Sequence, residues 1–162
     1  MSSWNTEAAI DSIGDFLDDV LDAAGQELEF EISEGEVGTE LISPDILVNF
    51  EGDDLELLLE NRGELLLALE QLTLEAIRTP HDQRYRILFD ADDYRLSRIE
   101  ELQATAKVAA EKVRSTGQPF HFQPMTSRER RILHLALRDE PGVDSLSEGR
   151  APRRHTVVAP AK

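Results

Sequence analysis

Residues 125–137 read Met-Thr-Ser-Arg-Glu-Arg-Arg-Ile-Leu-His-Leu-Ala-Leu. Thr126 followed three residues later by Glu129 is the pattern of a capping box, in which each side chain satisfies a backbone N–H left free at a helix start. The segment therefore predicts a helix beginning after Thr126 and running to about Arg138, where Asp139-Glu140-Pro141-Gly142 ends it. At about 100° per residue, Arg130, His134, Arg138 and Arg131 fall within an arc of roughly 100°, and Leu135, Ile132, Ala136, Leu133 and Leu137 fill the remainder. One side of this helix is apolar, and the other is three arginines and an imidazole.

Downstream, Val143 to Ser147 and His155 to Ala159 are strand candidates separated by the Glu148-Gly149-Arg150-Ala151-Pro152 loop, and Arg153-Arg154 enter the last strand. Upstream, Phe120-His121-Phe122-Gln123 is a short strand candidate. Tyr94 to Ser115 carries Leu96, Ile99, Leu102, Ala106, Ala109 and Val113 at helical spacing, closed by Gly117 and Pro119. If the last strand packs beside the Thr126 helix, guanidinium forks from both converge on one surface, a chemistry suited to phosphate oxygens and stacked bases. Phe120 and Phe122 are candidates for stacking, with one of such an alternating pair expected in the core.

The first ninety residues carry a different pattern. Ile10, Ile13, Phe16, Leu17, Val20 and Leu21 mark an amphipathic helix stopped by Gly25. Leu28, Phe30 and Ile32 alternate with glutamates, and Ile46, Val48 and Phe50 follow after Gly35, Gly38, Ser43 and Pro44, which predicts two half-buried strands in a hairpin. Leu55 to Leu59 is a short helix broken at Glu60-Asn61-Arg62-Gly63, and Glu64 to Arg78 is a longer one ended by Thr79-Pro80. Tyr85, Ile87 and Phe89 alternate with Arg84, Arg86 and Leu88 as a third strand. The order is α-β-β-α-α-β, and the whole reads as α+β with two small domains, residues 1–91 and 92–162.

Charge divides along the same line. Of 17 basic and 33 acidic residues, the first 80 positions hold only Arg62 and Arg78 against 21 acids, so that half is strongly anionic and the second is slightly cationic. Such asymmetry is expected of modules with separate partners. The net charge of −16 excludes a general polycationic binder. No apolar run reaches the roughly 18 residues of a membrane helix, and Met1 to Ile10 lacks the basic and apolar parts of a signal peptide, so a cytoplasmic protein with no membrane partner is expected.

Cysteine is absent, which removes disulfides, thiolate zinc and a thiol nucleophile. His81, His121, His134 and His155 are far apart with no zinc spacing, so neither metal nor cofactor is expected. Nucleophile, P-loop and dinucleotide motifs are missing, so no catalytic residue is assigned and no enzymatic activity is expected.

Arg130-Arg131-Ile132-Leu133-His134 contains the Arg-x-x-x-His signature of the R-three-H domain, and residues 125–137 resemble its helix almost in full. Ser147-Glu148-Gly149 with Pro152-Arg153-Arg154-His155-Thr156-Val157-Val158 resembles the end of that domain in the bacterial Jag (SpoIIIJ-associated) family of RNA-binding proteins. There it follows a type II KH domain of the α-β-β-α-α-β order read above. The resemblance is specific over residues 93–159 and looser before them. It implies single-stranded RNA or DNA as partner, with Arg130 and His134 as signature residues, Arg153 and Arg154 as phosphate contacts, and Arg131 and Arg138 beside them on the helix.

The KH turn departs from the family pattern, because Glu60-Asn61-Arg62-Gly63 keeps only the second glycine of Gly-x-x-Gly. An anionic Glu60 beside Glu64 competes for the positive potential that would hold a phosphate. The KH-like domain is therefore expected to be mainly structural, or to bind a protein partner or a second copy of itself. The alternative for the whole chain is an acidic protein-interaction adaptor that no longer binds nucleic acid.

Overall fold

A computed structural model describes residues 5–35 and 43–162; Gly38, assigned above to the hairpin turn, lies outside them. The chain divides into two compact units, residues 1–96 and 97–162, each of mixed helix and strand. The architecture is thus α+β in two domains.

The first unit opens with α1 (Thr6–Ala24). The Asn5 side chain accepts from the Ala8 N–H, and Gly25 closes the helix at φ 63°, a conformation cheap only for glycine. Ile13, Leu17 and Leu21 form the buried stripe. The strands β1 (Glu29–Glu34) and β2 (Ile46–Glu51) pair antiparallel, with Phe30 opposite Phe50, and β3 (Ile87–Ala91) joins β2 in parallel to give the order β1-β2-β3. The Phe50 ring lies 5.6 Å from Phe89 and 6.2 Å from Phe30, centring a core shared with Ile13, Leu17, Leu58 and Leu66.

Two expectations for these strands are corrected. Tyr85 is not in a strand: Arg84–Arg86 forms a 3₁₀ turn, Tyr85 is 47% exposed, and β3 starts at Ile87. Nor is β2 half-buried, since its Ile46, Leu47, Val48 and Phe50 are covered, as are all five residues of β3 beside it. A strand enclosed on both faces has no need of alternation, and parallel pairing is where that occurs. The open edge of β3 is also occupied, because the Phe89 N–H donates to buried Glu70 Oε2 at 3.0 Å.

Glu70 belongs to α2 (Leu55–Ala76), which contains the predicted break: residues 60–63 leave helical geometry and the helix resumes beyond them. At the end of β3, buried Asp90 accepts from the N–H groups of Ala91, Arg95 and Leu96 at 2.8, 2.7 and 3.2 Å. Burial raises the Asp90 pKa, and these bonds with the Arg95 charge only partly offset it. The same contacts tie the first turn of α3 (Tyr94–Thr116) to the first unit, so the division between units falls after Leu96 and inside the helix.

The second unit continues α3, whose Ile99, Leu102, Ala106, Ala109, Ala110 and Val113 are buried. It adds β4 (Phe120–His121), α4 (Ser127–Leu137), β5 (Val143–Glu148) and β6 (His155–Pro160). The sheet is antiparallel in the order β4-β6-β5, with β6 central and buried through Thr156, Val157 and Val158. Among the described residues no helix is long and apolar enough to cross a membrane.

Candidate functional site

The site is built on α4. Thr126 and Glu129 form the complete capping box: the Glu129 N–H donates to Thr126 Oγ1 at 3.2 Å, and the Thr126 N–H donates to Glu129 Oε2 at 3.0 Å. The other Glu129 oxygen receives Arg98 Nε from α3 at 2.9 Å. Burial works to raise the Glu129 pKa, yet the Arg98 and Thr126 hydrogen bonds outweigh it and leave the carboxyl below its ordinary range. The start of α4 is thereby fixed, and Ile132, Leu133 and Leu137 seat its apolar side in the core.

His134 faces β5. Its Nδ1 lies 2.7 Å from Ser145 Oγ and its Nε2 2.8 Å from Ser147 Oγ, so both ring nitrogens are held by hydroxyls two residues apart on one strand face. Hydroxyls donate or accept as required, and this pair therefore suits either imidazole tautomer. Burial first, and then the Arg130 charge, lowers the His134 pKa below 6.5. The two contacts tie α4 to β5 beside Arg130.

This arrangement predicts a pH dependence. A folded pKa depressed below 6.5 contributes stability that is present above 6.5 and lost as pH falls through the folded value, because the unfolded chain then takes up a proton that the native ring resists. Between pH 7.5 and about 5.5 the melting temperature of the native chain should drop more than that of His134→Asn. Equal slopes in thermal melts of the two proteins would remove His134 as the cause.

Arg130 Nη1 donates to the Met125 carbonyl at 2.9 Å, and the Met125 N–H donates to the Arg154 carbonyl at 3.2 Å. One backbone unit thus brings the start of β6 to the Arg130 side chain. Burial and then the nearby Arg154 charge lower the Arg130 pKa. Arg130 accordingly lies near both His134 and the like charge of Arg154. Arg131 is exposed on α4 and Arg138 at its C-terminal cap, and Arg153 is exposed just before β6, where its N–H closes a turn onto the Arg150 carbonyl at 2.8 Å. Phe122 is 9% exposed and packs edge-on against half-buried Phe120 with centroids 5.0 Å apart, while Lys112 Nζ sits 5.3 Å from the Phe120 ring centre.

Sequence reasoning missed Ser145 and Ser147. Their period of two on a strand was visible in Val143 to Ser147, but which helix they would face was not. In the first unit, the broken turn has Glu60 at φ −55°, ψ 152°, followed by Asn61, Arg62 and Gly63 at φ 51°, 65° and 72°. Glu60, Asn61 and Arg62 are exposed, whereas Gly63 is buried, and a Cβ there would stand 2.9 Å from Tyr94 Cε1.

A capped Arg-x-x-x-His helix packed on a three-stranded antiparallel sheet defines an R-three-H protein, and the R-three-H domain family matches residues 100–160. Over 153 residues the chain is 31% identical to the RNA-binding protein KhpB of Clostridium symbiosum, covering 94% of this chain and 67% of that protein. It is 34% identical over 110 residues to the protein of that name from Bacillus subtilis (strain 168), and 33% over 112 residues to that of Lactiplantibacillus plantarum. These cover 67% and 69% of this chain but 53% and 35% of the relatives, so the chain spans between about one third and two thirds of the length of the proteins it matches. The chain belongs to the Jag family, to which these KhpB proteins belong.

Proposed function

We propose that the chain is a non-enzymatic, cytoplasmic RNA-binding protein whose second unit holds single-stranded RNA. The contacts are Arg130 and Arg154, with Arg131, Arg138 and Arg153 around them and His134 locking the helix that presents Arg130. The observation that supports this reading is the Met125 bridge, whose carbonyl accepts from Arg130 Nη1 and whose N–H donates to the Arg154 carbonyl, so that two guanidinium-bearing residues are brought together. Confining two guanidinium groups costs free energy in the free protein and repays it when an anion binds between them. The names of the relatives point to the same class of ligand.

Guanidinium contacts to phosphate position a strand without reading its bases, so sequence preference is expected to be low. Affinity should fall with salt at a slope reflecting about three to five phosphate contacts, roughly 0.7 per contact on a single strand. Fluorescence anisotropy with labelled single-stranded RNA and DNA at several salt concentrations tests this, and no saturable binding at low salt would favour the acidic adaptor.

The KH-like unit is proposed to be structural or partner-binding, with a protein partner or a second copy as its ligand. Its turn keeps a fixed backbone shape, but the exposed Glu60 and its neighbour Glu64 give that shape an acidic surface. Arg62→Glu should therefore leave RNA affinity within about twofold, whereas a working clamp would lose on the order of 1 kcal/mol or more. The same anisotropy titration decides between them.

A further inference from the structure

The four histidines are far apart in sequence, yet for two of them strand pairing removes that distance. His121 on β4 pairs with Val157 of β6, and His155 lies two residues earlier on β6, so the two histidines are diagonal neighbours on one sheet face. Glu148 of β5 is directly opposite His155 in the register and shares that face. One ligand atom from each of His121, Glu148 and His155 lies within 4.8 Å of the others. Ser147 and Thr156, the next pair in the ladder, point to the opposite face, the one carrying His134. The cluster is therefore separate from the Arg130 and His134 site.

The geometry points to a divalent transition-metal site, with zinc as the best-matched ion, formed by His121 Nδ1, His155 Nε2 and a Glu148 carboxylate oxygen. Three observations support it. The two ring nitrogens are 3.3 Å apart. Two imidazole nitrogens bound at about 2.0–2.1 Å to one tetrahedral zinc lie about 3.3 Å apart, so the rings already span that edge. Second, His155 Nδ1 lies 3.3 Å from the Arg153 carbonyl oxygen. A carbonyl only accepts, so Nδ1 carries the proton and the lone pair is on Nε2, the atom facing His121; this is the outer bond that fixes a metal-binding imidazole. Third, exposed Glu148 supplies a hard anionic oxygen, completing a two-His, one-carboxylate set.

Each ligand comes from a different strand, so a bound ion fastens β4, β5 and β6 together at one end of the sheet. The exposure of His121 and Glu148 leaves a fourth position to water. The ligand atoms lie on the sheet face opposite His134.

The test is a titration of the full, tag-free chain with zinc chloride, followed by the ring signals of its four histidines in NMR and by competition with a chromogenic chelator. The expected result is saturation at one equivalent, with His121 and His155 shifting together while His81 stays in place, and a raised melting temperature in the presence of zinc. Loss of an outer-shell partner already weakens metal sites about 10–100-fold, so His121→Ala and His155→Ala should each weaken binding at least that much, and Glu148→Gln should weaken it too. His81→Ala should leave it unchanged. All three ligand side chains are exposed or half-buried, so these variants should fold, which circular dichroism checks. Absence of saturable uptake, or uptake that persists in both histidine variants, overturns the site.

Discussion

Gly63→Ala should destabilise the first unit by about 2–5 kcal/mol. At φ 72° an L side chain costs roughly 1–2 kcal/mol. The new Cβ would also stand 2.9 Å from the Tyr94 ring, and forcing that ring aside adds about 1–3 kcal/mol of overpacking. Urea unfolding of the full chain measures the sum. Trimming the ring separates the parts: in a cycle with Tyr94→Leu, the alanine should cost less than in the native background, leaving mainly the backbone contribution. Additive costs would mean that Tyr94 is not the obstacle. Glu60→Gly is the internal comparison, since its φ of −55° needs no glycine, and it should cost under 1 kcal/mol.

The contrast shows which of the two glycine positions of Gly-x-x-Gly this backbone needs. The first glycine position has ordinary backbone angles, so an acid there changes only the surface chemistry. The second has a left-handed backbone and an aromatic ring in contact, so any side chain there is strained. From sequence alone the break in the helix was visible, because Asn61 and Gly63 are poor helix formers and the apolar spacing restarts at Leu65 and Leu66. The Tyr94 ring was not, since it arrives from 31 residues further on.

The same division holds elsewhere. Features set by neighbours within one turn were legible: the Thr126–Glu129 box, the stop at Gly25, the buried stripe of α1. Features set by register between strands were not. The serine pair that holds His134 and the approach of His121 to His155 depend on which residue of β5 or β4 lies opposite which residue of β6, and no local pattern encodes that. The start of β3 was misread for a related reason. Tyr85 continues the alternation of Ile87 and Phe89, but its backbone is used in a 3₁₀ turn and its ring stays in solvent. For the arginines, the helix wheel placed Arg130 beside His134, whereas the bridge to Arg154 through Met125 needed the fold.

That bridge gives the largest functional effect. Replacing Arg130 and Arg154 together by alanine should weaken single-stranded RNA binding by at least about 30-fold, since each charge-assisted contact contributes roughly 1.5–3 kcal/mol where it is well formed and less where water competes. The salt slope should fall by about 1.4, two contacts at roughly 0.7 each, while the residual binding keeps its low sequence preference. Stability should move the other way. The Arg154 side chain is exposed and its link to Met125 runs through its backbone carbonyl, so Arg154→Ala alone should leave the melting temperature unchanged or slightly raised even as affinity drops. A side chain that serves only the fold cannot produce that pair of signs, because removing it lowers stability and affinity together. Unchanged affinity and salt slope in the double variant, with the fold intact by circular dichroism, would place the RNA elsewhere on the molecule. Arg154→Lys refines the assignment: it retains the charge and the salt slope, but a compact ammonium cannot grip a phosphate with two parallel N–H bonds, so an intermediate affinity is expected.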